Sequence, residues 1–158
     1  NLTDGGVTGL GLAFLPLDRV ACGSGHGPLL IWHRPDGQAQ NLSLSPSHAF
    51  DIAGHPTMPI VYGIYCNHTL SVIEFVEGHP TLQPRFLRSG NLYSPPVPMG
   101  GRNLLAVGRH DNVTLFDLDA EGLLTGASTP IRLKGTKFRA VHYSPHFDRL
   151  YMAATLEP

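Results

Sequence analysis

A chain of 158 residues with 11 Lys and Arg against 12 Asp and Glu, a net charge of −1 and only 15% charged residues has no overall excess that would draw it to nucleic acid or an anionic membrane. Its 18 Gly and 14 Pro are too many for a helical bundle and fit short strands joined by tight turns. At this length roughly 70% of the unfolded surface is buried on folding, enough for one core, so a single all-β domain over residues 1–158 is expected.

No apolar run reaches the ~18 residues that a spanning helix needs, and no charged segment followed by an apolar one opens the chain as a signal peptide would. The chain as given therefore reads as soluble, without membrane insertion, and its compartment is left open. Its first residue is Asn1 and not Met, which reads as a processed product or, the favoured expectation, a piece of something longer.

Taken in order, the elements repeat. Small-residue strands recur at residues 19–25, 59–66, 103–110 and 149–155, and their anchors Gly23, Gly63, Gly108 and Ala154 are spaced 40, 45 and 46 residues apart. A period of ~40–50 residues is that of a four-stranded propeller blade. Calling these the B strands, the A strands fall at residues 7–14, 48–54, 91–97 and 138–144, joined to B by the turns LPLD, HPTM, PMGG and PHFD, whose Pro, Gly and Asp set turn dihedrals. C strands are expected at residues 28–34, 69–76 and 112–119, and D strands at residues 39–44, 84–90 and 129–135. The third A strand is poor: the run YSPPVPM, residues 93–99, holds prolines that donate no ladder bond, so it reads as an edge or polyproline-like segment. No helix is expected, since no apolar 3.6-residue period survives ten positions without Gly or Pro.

The blades are thus residues 7–44, 48–90, 91–135 and a half blade at 138–158. Three and a half blades do not close an ordinary ring of four to eight. The favoured expectation is that the remaining blades belong to a larger propeller. Alternatives are a homodimer, giving seven blades from two copies, or pairing of residues 1–6 with the last half blade.

Residues 7–37, VTGLGLAFLPLDRVACGSGHGPLLIWHRPDG, resemble a WD-repeat or YVTN-type propeller unit, and residues 138–155, FRAVHYSPHFDRLYMAAT, look like the first half of another. Residues 115–126, LFDLDAEGLLTG, are closer in style to lactonase-like seven-bladed propellers. Trp32 is followed by His33 where a WD unit has Asp, and the pairs Gly54-His55 and Gly78-His79 occur without the other partners of a WD tetrad. The resemblance implies a β-propeller fold and, for function, a non-catalytic protein-interaction scaffold or subunit; the alternative it implies is a lactonase-like or other propeller enzyme.

Candidate chemistry sits in the B–C turns, because loops at one end of a propeller surround its channel. Aligning the C strands places His26, Asn67 and His110 at equivalent positions, with His68 and Asp111 one step later and Arg109 one step before His110. One reading is a polar ligand site at the channel mouth. The other, favoured, is hairpin turn chemistry repeated because the blade repeats. No catalytic residue, metal or cofactor is assigned. There is no GxSxG elbow, and His142 and His146 are separated by Ser144-Pro145, which excludes a helix presenting both on one face. Cys22 and Cys66 read as buried thiols, with a disulfide only if their strands approach. Of four N-x-S/T sequons at Asn1, Asn41, Asn67 and Asn112, the last two are explained by Asn in a turn followed by Thr in a strand. The partner expected is a protein or further blades, with no nucleic acid.

Overall fold

The computed structural model describes residues 9–15, 19–24, 29–33, 37, 39–42, 49–65, 69–76, 79–88, 94–109 and 111–156. They form fourteen strands and no helix. The first sheet holds β1 (Gly9–Leu15), β2 (Arg19–Ser24), β3 (Leu29–His33) and β4 (Ala39–Leu42). The second holds β5 (Ala49–Gly54), β6 (Ile60–Tyr65), β7 (Thr69–Val76) and β8 (His79–Arg88). The third holds β9 (Val97–Met99), β10 (Leu104–Gly108), β11 (Val113–Leu118) and β12 (Leu124–Ile131). A two-stranded sheet, β13 (Thr136–Ser144) with β14 (Arg149–Leu156), ends the described chain. Every sheet is an antiparallel meander in chain order. This is a partial β-propeller of about three and a half blades.

Side-chain alternation explains both the cores and the apolar runs. Successive strand residues point to opposite faces, so Ile60, Tyr62 and Ile64 of β6 and Leu70 and Val72 of β7 meet Leu105, Val107, Phe116, Leu118 and Leu124 of the third sheet. The other face of that sheet, Leu104, Ala106, Val113 and Leu115, packs on Phe138, Val141, Leu150 and Met152 of the last. A sheet covered on both sides needs apolar residues at odd and even positions alike. That is why Leu104-Leu105-Ala106-Val107 is a continuous apolar stretch. Each fully buried Leu or Val there contributes about 1.5–3 kcal/mol.

The A strands differ from their expected course in two ways. Among the described residues the third is a strand only from Val97 to Met99, later than the expected start, because Pro95 and Pro96 cannot donate to a ladder; Pro96 is fully buried as packing instead. In the first, second and last sheets the A–B register slips once, leaving Leu10, Phe50 and Arg139 as extra residues. Such bulges sharpen the local twist and re-aim the strand. The D strands β8 and β12 begin earlier than expected, at His79 and Leu124. They occupy the sheet edge, where Pro80, Pro84 and Pro130 are tolerated.

Candidate functional site

Of the B–C turn residues singled out in the sequence, His26, Asn67, His68 and His110 lie outside the described residues, as does Cys66. Arg109 and Asp111 belong to the β10–β11 hairpin, whose last register pair is Gly108 with Val113. The Arg109 N–H donates to the Asn112 carbonyl at 2.7 Å. Asn112 is buried, and its amide is committed: Nδ2 donates to Asp111 Oδ1 at 2.7 Å, and Oδ1 accepts from Thr114 Oγ1 at 2.8 Å. A buried Asn with both ends of its amide bonded is a turn lock, so this sequon is accounted for by folding. The Asp111 carboxylate, although exposed, lies against the same turn.

At the opposite end of the sheets the second, third and fourth A–B turns form a connected ridge that sequence reading missed. A Cβ on Gly100 would lie 2.5 Å from Pro56 Cγ, so the second and third turns touch. Arg102 of the third turn and Asp148 of the fourth make a two-pronged ion pair: Nε donates to Oδ1 at 2.7 Å and Nη2 to Oδ2. Tyr143 Oη also donates to Asp148 Oδ1, at 2.8 Å. The hydrogen bond from Arg102 first, and that from Tyr143 second, hold the Asp148 carboxyl down at about 2. Asp148 and Asn103 both have φ of 50° and both end an A–B turn, a left-handed conformation that Asp and Asn tolerate better than most residues. That shared polar residue before the B strand was the available sequence signal. His146 and Phe147 stack edge to face on the same turn, with ring centroids 4.7 Å apart, and Phe147 is exposed.

His55 closes the second A–B turn. Its buried Nδ1 accepts the Met58 N–H at 3.1 Å and the Thr57 N–H at 3.3 Å, while the His55 backbone N–H donates to the Ile60 carbonyl at 2.9 Å. Two donors aimed at Nδ1 require a lone pair there, and burial pushes the imidazole below its ordinary range. Ser94 serves the third sheet similarly, its Oγ accepting the Gly108 N–H at 2.8 Å. Burial likewise pushes the Cys22 thiol up, and Cys22 is in no disulfide.

Asn112 and His55 are committed to holding turns, and among the described residues no three His, Cys, Asp or Glu side chains gather as metal ligands would. Leu12 and Phe14 of β1 are 60% and 78% exposed, while Ala13 and Leu15 on the other face of that strand are buried.

No family model matches the chain, and no curated protein matches it. Among solved structures it is similar to the β-propeller domain of Cps50 (Swd1) from Myceliophteria thermophila, with a TM-score of 0.68 at 10% identity. The similarity covers 92% of this chain and 49% of that one, so this chain spans about half of a β-propeller domain whose fold it shares.

Proposed function

We propose that the chain is a non-catalytic scaffold of WD-repeat-like character, whose exposed end faces engage a protein partner or the further blades of a larger propeller. The observation that carries this is the contrast between inner and outer blade faces. Tyr62 and Leu105, between the second and third sheets, are wholly buried, whereas Leu12 and Phe14 on the outer face of the first and Tyr151 on the outer face of the last are exposed. Unpartnered apolar faces of this kind mark interaction surfaces. The half-length match to a propeller domain supports further blades as occupant; a second copy is the alternative that mass measurement separates.

The test is the mass of the chain in solution together with binding of a hydrophobic dye. Self-association or dye binding is expected, relieved by Leu12→Glu with Phe14→Glu. A monodisperse 17.1 kDa species that binds no dye at high concentration would sink the reading.

A further inference from the structure

The near-neutral charge of the whole chain hides a segregation. Residues 122–156 hold Arg132, Lys134, Lys137, Arg139 and Arg149 but only one acid, Asp148, so they carry +4, while the rest carries −5. Asp148 is tied to Arg102 in the A–B ridge. Arg149 directly follows it at that same end, which leaves four of the five cations elsewhere.

Topology brings those four toward the other end of the third and fourth blades. Val113, the first residue of β11, pairs with Ile131, the last of β12, so the turn at 109–112 and the loop at 132–135 share one end of the third sheet. Thr136, the first residue of β13, pairs with Leu156, the last of β14, which brings the end of β14 to the same edge. Arg132, Lys134 and the bulge residue Arg139 are exposed, and none of them pairs with a carboxylate among the described residues. Arg109 and Lys137 are half-buried. Two apolar side chains are exposed at the same end: Leu133, between Arg132 and Lys134 in the chain, at 49%, and Leu156, paired in register with Thr136, at 82%. The loop is held: Thr136 Oγ1 donates to the Leu133 carbonyl at 2.6 Å, and Gly135 takes a φ of 70°. The described carboxylate at this end, Asp111, lies against the Asn112 amide, and Glu157 follows Leu156 outside the described residues.

We infer that this edge docks an acidic segment of a partner protein in which carboxylates alternate with leucine-like side chains. The chemistry is charge complementarity around an apolar anchor: cations at 132, 134 and 139 meet carboxylates, and Leu133 and Leu156 are covered by aliphatic groups. Nucleic acid fits less well, since the exposed anchors are aliphatic and offer no stacking platform. This inference rests on the scaffold reading and adds the kind of partner.

The experiment is a fluorescence anisotropy titration of the full chain with a labelled peptide of alternating Glu and Leu. The wild type binds, and binding weakens as salt rises. Arg132→Glu with Lys134→Glu weakens it roughly 10-fold or more and flattens the salt dependence, as reversal of contacting charges does. Leu133→Ser weakens it about 3-fold to 10-fold, the scale of one lost apolar anchor, with the salt dependence kept. Arg149→Glu, at the opposite end of the sheet, leaves it unchanged. Absence of wild-type binding, equal binding by the double variant, or binding of duplex DNA or phosphatidylserine vesicles as tight as that of the peptide would overturn the inference. Any of these would leave the scaffold reading standing, because that reading is judged on Leu12 and Phe14 through mass and dye binding.

Discussion

Tyr62 and Gly122, sixty residues apart in sequence, are joined by a 2.8 Å hydrogen bond from the buried phenol to the Gly122 carbonyl. The bond ties the B strand of the second blade to the C–D turn of the third. That turn is organised by Asp119, whose Oδ1 accepts the N–H groups of Glu121 and Leu123 at 3.1 and 2.8 Å. Gly122 has a φ of 77°, and a side chain there would meet Ile60, Met58 and Tyr62 within 3.0–3.3 Å. The carbonyl is therefore presented in a conformation that favours glycine, against a neighbour packed close upon it.

Tyr62→Phe removes the donor and leaves a buried carbonyl without it. The expected cost is about 1–3 kcal/mol, read as a lower urea midpoint with an unchanged slope. Burial first, and the nearby Asp119 charge second, push the phenol well above its ordinary value. The unfolded chain ionises this group more readily, so the wild type loses stability as the pH climbs past about 10. The Phe variant lacks that component.

His55 should confer sensitivity at the acid side of neutrality. Its imidazole titrates lower when folded than the ordinary 6.5, so the unfolded chain binds the proton more readily. Stability is then full above about pH 6.5 and falls as pH drops below it toward the folded value. Protonating Nδ1 would also oppose the Thr57 and Met58 N–H groups. Denaturation curves at pH 8 and pH 5 should differ less in His55→Asn than in the wild type, at the expense of lower stability at pH 8.

Gly108 is excluded from bearing a side chain by its neighbour. A Cβ there would fall 2.5 Å from Ser94 Oγ and 3.3 Å from Val141 Cγ2, and Ser94 is held by the Gly108 N–H itself. Gly108→Ala should cost about 1–3 kcal/mol through overpacking. Gly101→Ala, with nothing within 4 Å, should be nearly neutral. Thermal melts of the two variants give the comparison, and equal melting points would contradict it.

Asp148→Asn keeps a residue that tolerates the positive φ and removes the charge that meets Arg102 and Tyr143. With its folded value at about 2 against an ordinary 3.8, the carboxylate adds stability above about pH 4, lost as pH falls toward 2. The wild type should lose more melting temperature between pH 5 and pH 2.5 than the Asn variant. The pair is half exposed, so salt at 1 M, where the screening length is about 3 Å, should shrink the difference.

The B strands were legible because small and apolar residues recur at one spacing, and β6, β10 and β14 lie within about two residues of expectation. The D strands β8 and β12 begin at His79 and Leu124, ahead of the expected residues 84 and 129; at a sheet edge a proline such as Pro80 costs no ladder bond, so pairing runs through it. The third A strand was placed too early: Pro95 is exposed, Pro96 is buried as packing, and pairing begins at Val97. Bulges at Leu10, Phe50 and Arg139 had no sequence mark, since one extra residue leaves the alternation nearly intact over so short a strand. Among the turn residues, Arg109 and Asp111 were legible as hairpin chemistry. Arg102 with Asp148, and Tyr62 with Gly122, were not, because each joins different blades.

By itself the amino-acid order determined the all-β class, the repeat length and the strands buried on both faces. These follow from local propensity, turn residues and side-chain alternation, which act within a few positions. Only the tertiary structure decided which polar groups are spent on turns, which blade each apolar face meets, and where the cations of residues 132–139 gather. Those depend on how one sheet is laid against the next, and residues 46 and 60 positions apart become neighbours only when the blades pack.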